Sequence, residues 1–315
     1  MKSTGGLIPA GGFRLQSAME YLMTYGWAVL IIAVVLVALY SMDVFNPFFF
    51  TPKASPGSCQ VFRTPAAVSL EGECTNQVPQ TTAQFDGRNG YISTSYVQSY
   101  VTSYTIAAWI KTTSSQGVLV EDRGSGSGSS ITLTIGASCG SAGGYCPGAS
   151  AGVPAIGVDS NGVWIGLSGN KKVNDGSWHF IAATFEAPAG STVTASDFSI
   201  YIDGKPAAGN TAAIGSAQSP LTGLGGTQFG YSPAWGYYYS GSLADVQIYN
   251  VTLSPSEVLS LYMEGIGGVP VDPAHVVGWW PLNANADSYS GYEYNGVATG
   301  GVSFTGLWYS GYVQP

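Results

Sequence analysis

From about residue 58 onward the chain is a succession of short runs rich in β-branched and aromatic residues, each closed by Gly, Asn, Asp, Ser or Pro. Tyr104–Lys111 reads YTIAAWIK, Ser130–Ile135 SITLTI, Gly162–Leu167 GVWIGL, Trp178–Phe185 WHFIAATF, Phe198–Asp203 FSIYID and Leu243–Tyr249 LADVQIY. Runs of this length are strands, and regularly spaced strands with turn residues between them close into a sandwich or barrel. Asp175-Gly176 and Asp203-Gly204 read as hairpin turns, and Trp109 and Trp178 as core aromatics. One helix interrupts the pattern. Ser254 is its N-cap, Pro255 its first residue, Glu257 closes a capping box and Gly265 stops it.

A different signal precedes the strands. Between Met19 and Met42 the only charge is Glu20, and Trp27–Tyr40 is unbroken apolar sequence. At ~1.5 Å per residue a helix of this length spans a hydrocarbon layer of ~30 Å. Lys2 and Arg14 lie before it and Asp43 is the first charge after it, so the positive-inside rule keeps residues 1–15 in the cytoplasm and exports the rest. Pro47 and Pro52 end the helix, and Phe48–Phe50 suit an interfacial aromatic belt. Charged residues make up only 9% of the chain and the net charge is −8. No basic stripe exists to displace counterions from phosphates, which excludes nucleic acid as a partner.

The stretch Gln16-Ser17-Ala18-Met19-Glu20-Tyr21 resembles the QxSxEY signature of archaeal class III signal peptides, which belong to type IV pilin-like proteins. The resemblance implies a cut between Leu15 and Gln16 by a prepilin-type signal peptidase, with the helix kept on the mature protein. It also implies a role for Glu20. In a filament of identical subunits its carboxylate would meet the new N-terminal amine of Gln16 on a neighbour, neutralising two charges that are costly in an apolar bundle. A plain signal anchor, with Glu20 at the membrane surface, is the other reading.

A second resemblance covers residues 83–264. Phe85-Asp86-Gly87, Thr105-Ile106-Ala107-Ala108-Trp109-Ile110, Asn174-Asp175-Gly176-Ser177-Trp178, Ile200-Tyr201-Ile202-Asp203-Gly204 and Gly241–Asn250 are similar, in this order, to laminin-G-like domains of the concanavalin-A-like jelly-roll superfamily. The segment Val276–Asn283, with Trp279-Trp280-Pro281, looks like the opening strands of the same domain placed at its end. The expected fold is mainly β, a jelly-roll sandwich with a permuted final segment, after one long N-terminal helix. The boundaries are a leader at 1–15, a membrane helix at 16–44, a connecting segment at 45–82, the jelly roll at 83–265 and the final segment at 266–315. The alternative for that last segment is an added strand that accepts a neighbouring subunit.

Four cysteines and two histidines, without a CxxC pair, leave no zinc pattern. Outside the cytoplasm the simplest of three pairings joins Cys59 to Cys74 and Cys139 to Cys146 in local disulfides, with reduced buried thiols as the alternative. Catalysis is not expected. Glu121 and Asp122 are adjacent and so point to opposite faces of a strand, and the alternating acidic pattern of the family's hydrolases is absent. Trp235, Tyr237, Tyr238 and Tyr239 form an aromatic loop able to stack on sugar rings or anchor protein contacts; local packing of a Gly-rich loop is the bland reading. Related domains often hold structural calcium, for which Asp86 and Asp245 are the candidate ligands. No other cofactor is expected. Asn250-Val251-Thr252 is a glycosylation sequon. Together these imply an anchored, surface-exposed pilin-like adhesin subunit that binds surface glycans or proteins. The alternatives are a non-polymerising lectin-like receptor and an anchored glycan-degrading enzyme.

Overall fold

The computed structural model describes residues 25, 28–37, 60–62, 71–73, 81–123, 129–136, 149–160 and 163–306. Residues 28–37 are helical, and among the described residues no helix is long and apolar enough to cross a membrane. The chain divides into two compact units, Met1–Pro52 and Lys53–Pro315. Leu15, Gln16, Glu20 and the four cysteines lie outside the described residues.

The second unit is a sandwich of two eight-stranded sheets. In chain order their strands are β1 (Thr82–Asp86), β2 (Tyr91–Val97), β3 (Ser103–Lys111), β4 (Gly117–Arg123), β5 (Ser130–Ile135), β6 (Pro154–Ser160), β7 (Val163–Gly169) and β8 (Trp178–Glu186). There follow β9 (Phe198–Ile202), β10 (Lys205–Pro206), β11 (Ala208–Ile214), β12 (Gly226–Phe229), β13 (Ser240–Tyr249), β14 (Val276–Trp280), β15 (Val297–Thr299) and β16 (Val302–Gly306). The first sheet runs β11-β7-β6-β5-β4-β12-β2-β15, and the second β10-β9-β8-β3-β13-β1-β16, with β14 also paired to β13. All pairings between these strands are antiparallel.

The two sheets differ in how they are covered, and the sequence of their strands follows. β3 and β8 lie at the centre of the second sheet and are buried along nearly their whole length. Their inward side chains, Ile106, Ile110, Ile181 and Phe185, join the inter-sheet core. Their outward ones, Trp109, Phe180 and Ala182, pack with Val258 and Leu261 of helix α1 (Pro255–Glu264). A strand buried on both faces has no polar alternation to show, which is why YTIAAWIK and WHFIAATF read as continuous apolar runs. Ser254 accepts from Glu257 N–H and Glu257 reaches back to Ser254, so the helix starts where the capping box predicts. Trp109 stacks on Tyr262 of that helix at 5.7 Å and 22°.

The final segment threads both sheets. β14 pairs with the far half of β13 while β1 pairs with its near half, so the two lie end to end along one strand. The chain then crosses to pair β15 with β2 and returns through Gly300 (φ +65) to pair β16 with β1. Consecutive tryptophans face opposite ways. Trp280 enters the inter-sheet core against Phe229 at 5.0 Å, and Trp279 enters the cluster under the helix.

Of the two turn dipeptides, Asp203-Gly204 (φ +52 and +71) makes the two-residue turn between β9 and β10. Asp175-Gly176 does not join paired strands. It bends the loop before β8, where Gly176 N–H donates to Thr112 O at 3.0 Å. His179, the second residue of β8, bridges the two turns. Its Nδ1 lies 3.1 Å from both Asp203 oxygens and its Nε2 lies 3.2 Å from Asp175 Oδ1.

Candidate functional site

The outer face of the first sheet, turned away from the core, is made by alternation. In SITLTI the isoleucines and leucine point inward and Ser130, Thr132 and Thr134 outward; β6 and β7 follow the same period, as does β4 beyond a bulge between Val118 and Val120. Cross-strand register aligns the outward residues into rows. One row is Trp164, Asp159, Ser130 and Arg123; the next is Gly166, Gly157, Thr132, Glu121 and Gln228. At Gly157 the Trp164 ring lies so close that a Cβ would come within 2.5 Å of it.

Glu121 and Asp122 divide between the faces as their adjacency requires. Asp122 points into the core, where it accepts from Tyr104 Oη and Thr227 Oγ1. Burial pushes its carboxyl up to about 6 against those two donors. Glu121 points outward and is 1% exposed. Arg123 Nε donates to Glu121 Oε1 at 2.9 Å and Arg123 Nη2 to Asp159 Oδ2 at 2.8 Å, so one guanidinium bridges two carboxylates. Burial raises the Glu121 pKa despite Arg123 beside it.

The aromatic loop folds back over this face. Tyr231 pairs with Tyr238 and Ser232 with Tyr237, and the resulting 231–238 hairpin carries Trp235. The Trp235 ring meets Trp164 edge-on at 5.3 Å and 65°, and Arg123 Cζ lies 6.0 Å from its centroid. Tyr231 stacks on Tyr238 at 4.2 Å and 17°.

Trp235, Tyr237 and Tyr238 are thus half-buried side chains of one hairpin. Tyr239 is not part of their surface, contrary to expectation. Its ring is fully buried against Phe85, and its hydroxyl donates to Ser242 O at 3.0 Å, so no face is left for a ligand. It directly precedes Ser240, the exposed first residue of β13, and points the opposite way.

The two calcium candidates each serve hydrogen bonds of the fold. Asp86 Oδ1 accepts the N–H groups of Arg88, Asn89 and Gly90 at 2.9, 3.1 and 3.0 Å, which closes the β1–β2 turn and lowers the carboxyl pKa. Asp245 is 3% exposed and takes Gln247 Nε2 on both oxygens at 3.1 Å and Trp279 Nε1 on Oδ1 at 2.8 Å. Among the described residues no group of three or more His, Cys, Asp or Glu is placed to hold a metal ion. Three N–H donors crowd Asp86 Oδ1, and both oxygens of buried Asp245 accept from side chains. Asn250 is exposed in the turn after β13, and the Thr252 hydroxyl donates to Phe185 O at 2.9 Å.

Glu121, Arg123, Asp159, Trp164 and Ser130 were not singled out as a set by sequence. The signal within each strand is alternation, but the register that aligns them joins positions far apart in the chain.

Residues 86–259 match the family model for laminin G, described as the concanavalin A-like lectin/glucanases superfamily. No curated protein matches the chain. Among solved structures it is similar to the native heptameric SAP-like pentraxin of Limulus polyphemus, at 16% identity over 73% of this chain and 96% of that one, TM-score 0.47. It is similar also to a candidate carbohydrate binding protein from Bacteroides ovatus, at 18% identity over 75% of this chain and 67% of that one, TM-score 0.47. A third is the LG1-3 region of the laminin alpha2 chain, at 18% identity over 59% of this chain and 34% of that one, TM-score 0.40. With more than half of its length matched by the family model, the chain belongs to the concanavalin A-like lectin/glucanases superfamily.

Proposed function

We propose that the sandwich is the ligand-binding head of a membrane-anchored surface protein, and that the ligand is carbohydrate. The observation that carries this reading is the Trp164–Trp235 pair set over the Glu121–Arg123–Asp159 bridge on the outer face of the first sheet. Indole faces stack on sugar rings, and fixed polar groups beside them select hydroxyl positions. Binding rather than hydrolysis is favoured because both carboxylates on this face are tied to Arg123, leaving no free acid–base pair at a cleft. A glycan array probed with the detergent-solubilised full chain and with Trp235→Ala tests it: binding by the first and loss by the second is the expected result. No glycan bound by either would remove it.

The anchor rests on sequence. The uncharged run around Trp27–Tyr40 and the charge bias of its flanks support a single span with the head outside. The signal-peptide resemblance at Gln16–Tyr21 supports maturation before Gln16 and a filament in which Glu20 pairs with the liberated amine. Leu15, where the pilin-like family usually has Gly, favours a second reading: an uncut, non-polymerising receptor. Mass spectrometry of the mature N-terminus decides between them, since a retained residue 1–15 segment eliminates the filament.

A further inference from the structure

His179, near the start of β8, is 6% exposed and lies between two carboxylates. It pairs with Ile110 of β3 and so shares the inward face of the sheet with it. Its Nδ1 faces both oxygens of Asp203, in the β9–β10 turn, and its Nε2 faces Asp175 Oδ1, in the 170–177 loop between β7 and β8. A neutral imidazole has one N–H and can donate to one of these carboxylates; the imidazolium donates to both. Lys171 Nζ lies 2.9 Å from Asp203 Oδ2. Two cations and two anions then balance, and a neutral ring leaves one negative charge in excess. Tyr262 of α1 packs over Gly204, and its hydroxyl is raised by burial and by Asp203, so it adds no charge. Lys111, opposite Trp178 on β3, points to the other face of the sheet. Lys172 and Lys205 are exposed.

We propose that His179 is a pH-sensitive latch: as an imidazolium it ties the 170–177 loop to the β9–β10 turn, and as a neutral ring it lets the loop go. Asp203 keeps the remaining proton. Its carboxylate also accepts from Phe180 N–H at 3.2 Å, and its own N–H donates to Phe180 O at 2.9 Å. Gly204 beside it fits so closely under Tyr262 that a Cβ would come within 2.8 Å of the ring. The Asp175 side chain is 59% exposed against 24% for Asp203. The neutral ring therefore turns a lone pair at Nε2 toward Asp175 Oδ1, and Asp175 moves into water. Its Oδ1 also accepts from Ser177 N–H at 2.8 Å, so that turn loosens with it. Val173 and Gly176, whose N–H groups donate to Gly152 O at 2.9 Å and Thr112 O at 3.0 Å, stay as the pivots. Burial opposes charge on the ring, but Asp203 and then Asp175 outweigh it and raise the His179 pKa above 6.5. The folded protein thus binds this proton more tightly than the unfolded chain does. The latch is complete below pH 6.5 and is lost as pH rises through the raised value.

Two measurements on the detergent-solubilised full chain, made beside Asp175→Asn, test the latch. The first follows the ring signals of carbon-13-labelled histidine by NMR as pH is raised. The chain has two histidines, and His275→Gln assigns their signals. The His179 ring should titrate with a midpoint above 6.5, and Asp175→Asn, which removes one of its two anions, should lower that midpoint. The second is hydrogen exchange of a peptide spanning 170–177, corrected for the intrinsic pH dependence of exchange. Exchange should quicken roughly threefold across the same midpoint in the parent, the worth of an ion pair with one exposed partner, and show no step in Asp175→Asn. Asp245 titrates in both proteins, so a step common to the two counts against the latch. A midpoint at or below 6.5, a midpoint that Asp175→Asn leaves in place, or loop exchange without the step overturns the proposal. A ring that titrates high while the loop does not respond would make His179 a fixed strut between the turns, which also overturns it. The parent's ring titration alone decides the first of these outcomes, whether or not the variant folds.

Discussion

Replacing Asp245 with Asn should change sign in its effect on stability as pH is raised. Asp245 sits in β13 at φ +48, a conformation that Asn also tolerates. It is sealed between Gln247 and Trp279. Burial pushes its carboxyl from 3.8 up to about 7, outweighing those two donors. The folded protein therefore holds this proton more tightly than the unfolded chain does. Its stabilising effect is complete below pH ~4 and is lost as pH rises through about 7. At about 1.4 kcal/mol per tenfold change in proton affinity, the loss is about 4 kcal/mol. Asn carries no charge to bury. It keeps an oxygen for the Trp279 indole and exchanges one Gln247 contact for an N–H, at about 1 kcal/mol. At pH 3.5 the variant should thus be about 1 kcal/mol less stable than the parent, and at pH 8.5 about 3 kcal/mol more stable. Urea unfolding followed by tryptophan fluorescence at both pH values measures this. The difference between the two proteins cancels the other titrating groups. A difference that stays constant from pH 3.5 to 8.5 would refute the reasoning, because it would mean that the carboxylate is solvated or paired in the fold.

Tyr104→Phe removes one of the two donors to buried Asp122 and should cost about 2 kcal/mol in urea unfolding at neutral pH. Gly166→Ala drives a Cβ to 2.3 Å from Ile156 O in the neighbouring strand. It should destabilise by about 2 kcal/mol or more, seen as a lower Tm, whereas Gly190→Ser, with nothing within 4 Å but φ +84, should cost only about 1 kcal/mol. Because Asp86 Oδ1 and both Asp245 oxygens already accept protein hydrogen bonds, thermal melts in millimolar calcium and in EDTA should superimpose. A calcium-dependent rise in Tm would show a cation site that these carboxylates do not provide.

Period-2 alternation, a capping box and a turn dipeptide are interactions between residues a few positions apart, so the sequence alone determines them. Helix 255–264 follows from Ser254, Pro255 and Glu257, the β9–β10 turn from Asp203-Gly204, and the opposed Glu121 and Asp122 from their adjacency. The aromatic loop at 231–239 is legible for the same reason, as a cluster, but the division of its residues is not. Tyr239 serves the core and Trp235 the outer face, because the chain turns between them from the hairpin toward β13, whose first residues pair with β1. Only the tertiary structure decides that YTIAAWIK is covered by a helix on one side and a sheet on the other. Only it brings Glu121, Asp159 and Trp164 together, from strands whose order, β7-β6-β5-β4, is fixed by packing. Register is a property of two strands at once. A one-residue slip would turn each of these side chains to the opposite face, and no single stretch of chain carries that information.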